Sequence, residues 1–174
     1  GAVSAKNGIT QDKAAGDVTF EGNVTLAEGT GTKVSVFGDD VTLSGMTFDS
    51  AGSVTFGNAD GVETLTLAAD DVTIKIATER TLISKSKVEG SFDLILDGAG
   101  NKTFNSTLGA TDKIGDGENE AIEMLATNTG TTTFKGAVSA KNGITQDKAA
   151  GDVTFEGNVT LAEGTGTKVS VFGD

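Results

Sequence analysis

The chain contains the same 39-residue segment twice, once beginning at Gly1 and again beginning at Gly136. Residues 1–39 and residues 136–174 both read GAVSAKNGITQDKAAGDVTFEGNVTLAEGTGTKVSVFGD. Since the identity includes turn and surface positions, which packing does not hold fixed, it favours a tandem array over a closed globule. The sequence therefore divides into one full unit, 1–135, and the start of the next identical unit, 136–174, within one continuous structure.

The composition favours an all-β fold. The 174 residues include 25 Gly and nine Phe, and they include no Trp, Tyr, Cys, His or Pro. Glycine and β-branched residues are typical of short strands joined by tight turns, and few segments suit a long helix. The absence of Cys excludes a disulfide scaffold and thiolate metal sites.

The charge narrows the partners that the chain can have. A net charge of −12 repels nucleic-acid phosphate and anionic lipid, so we expect no nucleic-acid partner and no membrane insertion. No apolar run approaches the roughly 18 residues that a membrane span needs. The first residues carry no signal-peptide pattern, and we expect any targeting signal to lie outside this sequence.

Short segments alternate apolar residues with Thr or Ser, which is the period of a half-buried strand. They are joined by clusters of Gly, Asn and Asp, which adopt the positive φ angles of abrupt corners. Val18, Val36, Val54 and Val72 recur at equal steps along the chain. We interpret this as a parallel β-helix, or β-solenoid, with coils of roughly 18 to 25 residues spaced about 4.8 Å apart. A string of separate small β-sandwiches is the alternative.

The β-helix interpretation predicts which side chains form the inward stack. These are the apolar members of the alternating segments, whose Thr neighbours would form outward ladders. The predicted stack comprises Val18, Phe20, Val54, Phe56, Leu65, Leu67, Val72, Ile74, Leu94, Leu96, Phe104 and Phe134.

Three segments give the chain a resemblance to known proteins. Residues 125–138 read LATNTGTTTFKGAV, and they are followed by Gly143-Ile144-Thr145 and Gly151-Asp152-Val153-Thr154-Phe155. This pattern resembles the strand repeats of filamentous-haemagglutinin-like and autotransporter-passenger-like bacterial surface proteins. The resemblance implies a right-handed parallel β-helix that is secreted and displayed outside the cell as an adhesin, stalk or matrix fibre.

One acidic loop has the spacing of a calcium site. Residues 112–123 match the EF-hand pattern at positions 1, 5, 6 and 12, although Ile114 stands where an oxygen ligand is required. We name Asp112, Asp116 and Glu123 as candidate calcium ligands, with a solvated insertion loop at a coil corner as the alternative. No other cofactor is expected.

Three other patterns carry weaker hypotheses. The pairs Asp39-Asp40 and Asp70-Asp71 could be the carboxylates of a polysaccharide-acting β-helix enzyme, or simply turn residues. Residues 84–87 read SKSK and contain the Ser-x-x-Lys spacing of acyl enzymes, but no helix is predicted there. We interpret Arg80, Lys85 and Lys87 instead as a basic patch. Regular outward Thr ladders would also suit an ice-binding face.

These observations together predict a structural protein without catalytic activity. We expect an extracellular or cell-surface rod, stalk or filament body, whose partner is itself through neighbouring repeats or end-to-end stacked subunits. A host or glycan surface is a further expected partner. The alternative is a ligand- or glycan-binding adhesin module, in which insertion loops such as residues 109–120 carry the contacts and calcium stabilises them.

Overall fold

The computed structural model describes residues 1–27, 34–116, 121–162 and 170–173. Within these ranges the chain forms twenty short strands and no helix. No helix in the described part of the chain is therefore long or apolar enough to cross a membrane. The strands wind into a β-solenoid of about seven turns.

Each full turn places one strand on each of three faces, which we call A, B and C. Along each face, consecutive strands pair in parallel with the strand one turn earlier or one turn later. Face A contains, in axial order, β1 (Val3–Lys6), β4 (Val24–Ala27), β7 (Thr47–Ser50), β10 (Val72–Ile76), β13 (Leu94–Asp97), β15 (Ile122–Met124) and β18 (Ile144–Gln146). Val171 extends this face by a bridge to Thr145.

Faces B and C follow the same order along the axis. Face B contains β2 (Thr10–Gln11), β5 (Ser35–Phe37), β8 (Val54–Phe56), β11 (Thr81–Ser84), β14 (Asn101–Phe104), β16 (Thr132–Phe134) and β19 (Val153–Phe155). Face C contains β3 (Val18–Phe20), β6 (Val41–Leu43), β9 (Thr64–Leu67), β12 (Lys87–Glu89), β17 (Val138–Lys141) and β20 (Val159–Ala162). Leu108 bridges Val88 of β12 to Val138 of β17, so face C is continuous.

The continuous parallel ladders confirm the predicted parallel β-solenoid and exclude the string of separate β-sandwiches. Parallel strands in one sheet need long crossover connections, and here each crossover consists of the other two faces of the turn. Along the described faces, each coil therefore covers the open strand edges of the coil before it.

The core is a narrow apolar column along the axis. All members of the predicted stack are buried except Val18, which is partly buried and packs against the core. On face B the Phe rings stack in parallel, with centroids 5.1 Å apart for Phe104 and Phe134 and 5.0 Å for Phe134 and Phe155. Ser84 occupies the same column between Phe56 and Phe104 and divides it in two.

The equal step predicted from the valines is wrong as a description of the stack. Val18 lies on face C and Val72 on face A, while Val36 on face B is paired with Thr55 rather than with Val54. The turn from Lys102 to Thr132 is more than half as long again as the turn from Val36 to Thr55. Corner length varies along the whole chain, so a fixed sequence period cannot identify axial neighbours.

Close approach of the backbone at the corners requires glycine at several positions. A Cβ atom on Gly130 would lie 2.5 Å from the carbonyl oxygen of Gly100, one coil earlier. On Gly151 it would lie 2.5 Å from the carbonyl oxygen of Thr129. The glycine-rich corners therefore allow consecutive coils to approach at strand spacing where a side chain would hold them apart.

Candidate functional site

The polar residues at the corners join one coil to the next. The Asn23 Oδ1 atom accepts a hydrogen bond from the Thr47 backbone N–H at 3.2 Å, and Asn101 Oδ1 accepts one from Thr131 N–H at 3.0 Å. Asp40 Oδ1 does the same for Thr64 N–H at 2.7 Å. Each bond satisfies a backbone donor of the following coil, where the strand ladder is interrupted. Much of the polar corner chemistry therefore holds the coils together.

The acidic pairs lie in turns. Asp39 Oδ1 accepts a hydrogen bond from the N–H of Asp40 at 3.0 Å, and the Asp40 carboxylate is bonded to the next coil. Asp71 has a φ of 56°, the left-handed conformation that Asp tolerates in tight turns. This geometry gives Asp39, Asp40 and Asp71 structural roles in the turns and between coils.

A short loop that carries Asp112, one of the three calcium candidates, interrupts face C. Leu108 and Ile114 both bridge to β17, at Val138 and Ala140, and residues 109–113 project outward between them. The buried Glu89 carboxylate accepts hydrogen bonds from Thr111 N–H at 3.1 Å and Asp112 N–H at 3.0 Å. The predicted insertion loop, residues 112–123, continues from Ile114 on face C to β15 on face A, and residues 117–120 lie outside the described residues. A solvated insertion at this coil corner stays a prediction.

The three candidate calcium ligands do not converge in the described part of the loop. Asp116 donates its backbone N–H to Asp93 Oδ1 at 3.2 Å, and Glu123 lies within β15 beside Thr145. Residues 117–120 of the predicted site lie outside the described residues. Among those that are described, no three Asp, Glu, His or Cys side chains form a group suited to a metal ion. Calcium binding at Asp112, Asp116 and Glu123 stays a prediction.

The Ser-x-x-Lys spacing does not bring its two residues to one place. Ser84 is fully buried at the end of β11 on face B, where its hydroxyl donates to the carbonyl oxygen of Ser86 at 3.1 Å. Lys87 begins β12 on face C and is exposed. Arg80 Nε donates to the carbonyl oxygen of Ala51 at 3.2 Å, which ties this side chain to a corner of the preceding coil.

The most unusual polar group is a lysine inside the core that was not among the predicted site residues. Lys102 on β14 is fully buried, and its Nζ atom contacts three oxygens: Gly98 O at 3.0 Å, Gly100 O at 2.9 Å and Asn128 Oδ1 at 2.6 Å. Burial lowers the pKa of Lys102 to about 8, and the charge of Asp97 partly opposes this shift. The Lys102 amine thus joins its own corner to the corner of the next coil.

The sequence does contain a signal for this lysine. In the segment Asn101-Lys102-Thr103-Phe104 the side chain of Phe104 points inward, so strand alternation places Lys102 inward as well. A lysine at an inward position must find oxygen partners, and the neighbouring Gly-rich corner provides carbonyl groups.

The C-terminal end of the solenoid exposes apolar side chains whose copies in the first segment are buried. Val159 and Leu161 of β20 are 41% and 47% exposed, whereas their copies Val24 and Leu26 are 1% and 2% exposed. Phe172 is 49% exposed and lines a shallow surface hollow with Gln146, Asp152 and Phe155, whereas its copy Phe37 is fully buried. The coil formed by residues 41–56 covers the first copy, and the described residues provide no such coil over the second.

Compared with the models of known protein families, with curated proteins and with solved structures, the chain shows no match. The site of greatest interest is therefore defined by the geometry alone. It consists of the coil-to-coil ladder and the hydrogen bonds that join its corners.

Proposed function

We propose that this chain is a structural repeat that forms the body of a stiff extracellular rod, stalk or filament. The observation that carries the proposal is the strand register of the two copies. Val3 pairs with Val24 in the first copy, and Val138 pairs with Val159 in the second, each with the same four-residue register. The second copy also continues the ladder of the first unit, because β15 pairs with β18 and β16 pairs with β19.

Self-association along the axis is the mode of partner binding that the repeated segment favours. In the first copy, Phe48 pairs with Val24 and Phe56 pairs with Phe37. A following coil with the sequence of residues 41–56 would cover Val159, Leu161 and Phe172 in the same way. Nearest-neighbour burial of this kind is how repeat proteins gain stability.

The cell-surface location rests on the resemblance of residues 125–138 to bacterial surface-protein repeats and on composition. An array with 12 excess negative charges in 174 residues would repel other arrays and stay soluble outside the cell. Protease treatment of intact source cells tests the location. Loss of the protein from intact cells supports surface display, and protection until the cells are lysed contradicts it.

Electron microscopy of a chain extended by further identical units tests the rod. We expect smooth rods that lengthen by about 27 Å per unit, since a unit spans nearly six coils at about 4.8 Å each. Beads joined by flexible connections would contradict the proposal. A chain of the present length is the matched control for the increment.

The second candidate function is a glycan-binding adhesin module with calcium-stabilised loops. The observation in its favour is the projecting segment 109–113, which the Glu89 carboxylate holds in a defined conformation. Glycan arrays with calcium and with a chelator separate the two functions. A spacer binds no glycan in either buffer, whereas calcium-dependent binding would support the adhesin module.

A further inference from the structure

The two identical segments form the same succession of four strands but lie on different faces of the solenoid. The segment VSAK forms β1 on face A in the first copy and β17 on face C in the second. The segment VTF forms β3 on face C and then β19 on face B. Likewise β2 lies on face B and its counterpart β18 on face A. Every strand of the second copy is displaced by one face in the same direction.

The local contacts show that this displacement is a rotation and not a refolding. Val3 N–H donates to Asn23 O at 2.8 Å, and Val138 N–H donates to Asn158 O at 2.8 Å. The Nε2 atoms of Gln11 and Gln146 donate to the carbonyl oxygens of Gly16 and Gly151. The Phe20–Phe37 edge contact, with centroids 5.7 Å apart, recurs between Phe155 and Phe172 at 6.0 Å.

The displacement follows from the number of turns in one unit. From β1 on face A of the first turn to β17 on face C of the sixth, the chain passes five full turns and two further faces. The unit 1–135 therefore makes five and two-thirds turns. Because this number is not whole, the next unit cannot begin on the face where the previous one began.

We propose that successive units of the array are related by a screw operation, which combines a shift along the axis with a rotation by one of the three faces. A given surface then returns to the same side of the rod only at every third unit. This inference rests on the proposed tandem rod. Three units make seventeen turns, and the surface would recur at intervals of about 82 Å along the axis. Two neighbouring units present the same residues about a third of a turn apart.

The charged row on face A shows what this means for a partner. Lys75 lies between Asp49 and Asp97 on the outer side of the sheet, with its Nζ atom 3.8 Å from Asp49 Oδ2. In the next unit the same row falls on face C, in the one after on face B, and then on face A again. A second rod lying alongside would meet this row only once in three units, whereas small partners could bind it from all sides.

The screw can be tested in the present chain, which has no native Cys to interfere with labelling. Spin labels at Thr25→Cys and Thr160→Cys mark copied positions on β4 of face A and β20 of face C. Labels at Thr42→Cys and Thr160→Cys mark two positions that both lie on face C, five coils apart, and form the matched control.

Distances from double electron–electron resonance should differ between the two pairs. The control pair should give about 24 Å, and the copied pair should give a distance longer by roughly 10 Å because it also crosses between faces. A copied pair at about 24 to 29 Å, as for two labels on one face, would overturn the screw. If both pairs give broad distributions centred far from these values, the solenoid itself is contradicted, and the proposed rod fails with it.

A label on each unit of a longer array separates the two proposals further. With one gold-labelled position per unit, the screw places successive labels on different sides of the rod and repeats every third unit. Labels in a single straight line would overturn the screw and leave the rod intact.

Discussion

The two copies of the 39-residue segment have identical sequences but are covered on opposite sides. The first copy has a coil after it, so Leu26 is 2% exposed, while Val3, Ala5 and Ile9 at its start are only partly buried. The second copy has a coil before it, so Val138, Ala140 and Ile144 are at most 1% exposed, while Leu161 is 47% exposed. The segment thus determines its own turns and strands, and the adjacent coils determine which of its side chains are buried.

The largest difference between the copies should come from Leu26→Asp and Leu161→Asp. In the first copy the carboxylate would be buried in the apolar column, and we expect a loss of about 4 kcal/mol or more in the free energy of unfolding. In the second copy the same change should cost less than about 0.5 kcal/mol because the site is open to water. Urea titration followed by circular dichroism measures both; equal losses would contradict the described end.

At the start of the segment, we expect the substitution in the second copy to cost more stability than the same substitution in the first. Ile144→Ala removes a fully buried side chain and should cost about 3 kcal/mol, whereas Ile9→Ala should cost about 1 kcal/mol or less. Thermal and urea unfolding of the two variants give the comparison. A greater loss for Ile9→Ala would show that the first coil is covered from its other side.

Glycine copies test the backbone contact between coils. A Cβ on Gly151 would clash with Thr129 O, so Gly151→Ala should cost about 2 kcal/mol. Its copy Gly16 has nothing within 4 Å of the added Cβ but has a φ of 83°, so Gly16→Ala should cost about 1 kcal/mol from backbone strain alone. Differential scanning calorimetry would rank the two; a milder Gly151 variant would contradict the close corner approach.

The last prediction concerns Lys102, which lies in the part of the sequence that has no second copy in this chain. Its folded pKa of about 8 is lower than its ordinary value of 10.5, so the unfolded chain binds more protons between these values. The stability contributed by this group therefore rises with pH above about 8, by about 1 to 2 kcal/mol up to pH 9.5, and is constant below pH 7. Urea midpoints from pH 7 to 9.5 measure the rise.

Lys102→Met provides the control for the pH dependence. The variant keeps the side-chain length but has no titrating group, and it should lose the rise in stability above pH 8. A parent-like profile in this variant would assign the pH dependence to other groups.

Strand positions could be predicted from the sequence because they depend on adjacent residues. Val18-Thr19-Phe20 and Val72-Thr73-Ile74 each contain the period-two alternation that places one set of side chains inside. The axial neighbours could not be predicted, since Val36 pairs with Thr55 whereas Lys102 pairs with Thr132, at a much longer step along the chain. The number of residues in each corner determines how far apart in the sequence two axial neighbours lie, and corners tolerate insertions at little energetic cost.

The candidate sites also show that local features could be predicted from the sequence and that contacts between coils could not. The position of Asp71 in a turn is a local property, and it could be predicted because Asp is common in turns and tolerates a positive φ. The bond from Glu89 to the loop at Thr111 and Asp112 joins residues more than twenty positions apart, and only the coil-to-coil alignment brings them together. Long-range partners of this kind require the register, which residue type alone does not determine.

The matching strand register of the two copies also bears on how such a gene could change. Crossing-over between the identical 39-residue stretches would remove or add one whole unit at once, and every retained strand would keep neighbours of unchanged sequence. Rod length could therefore change between lineages by whole units without a folding defect. Each unit added or removed would also rotate the part of the rod beyond it by a third of a revolution about the axis.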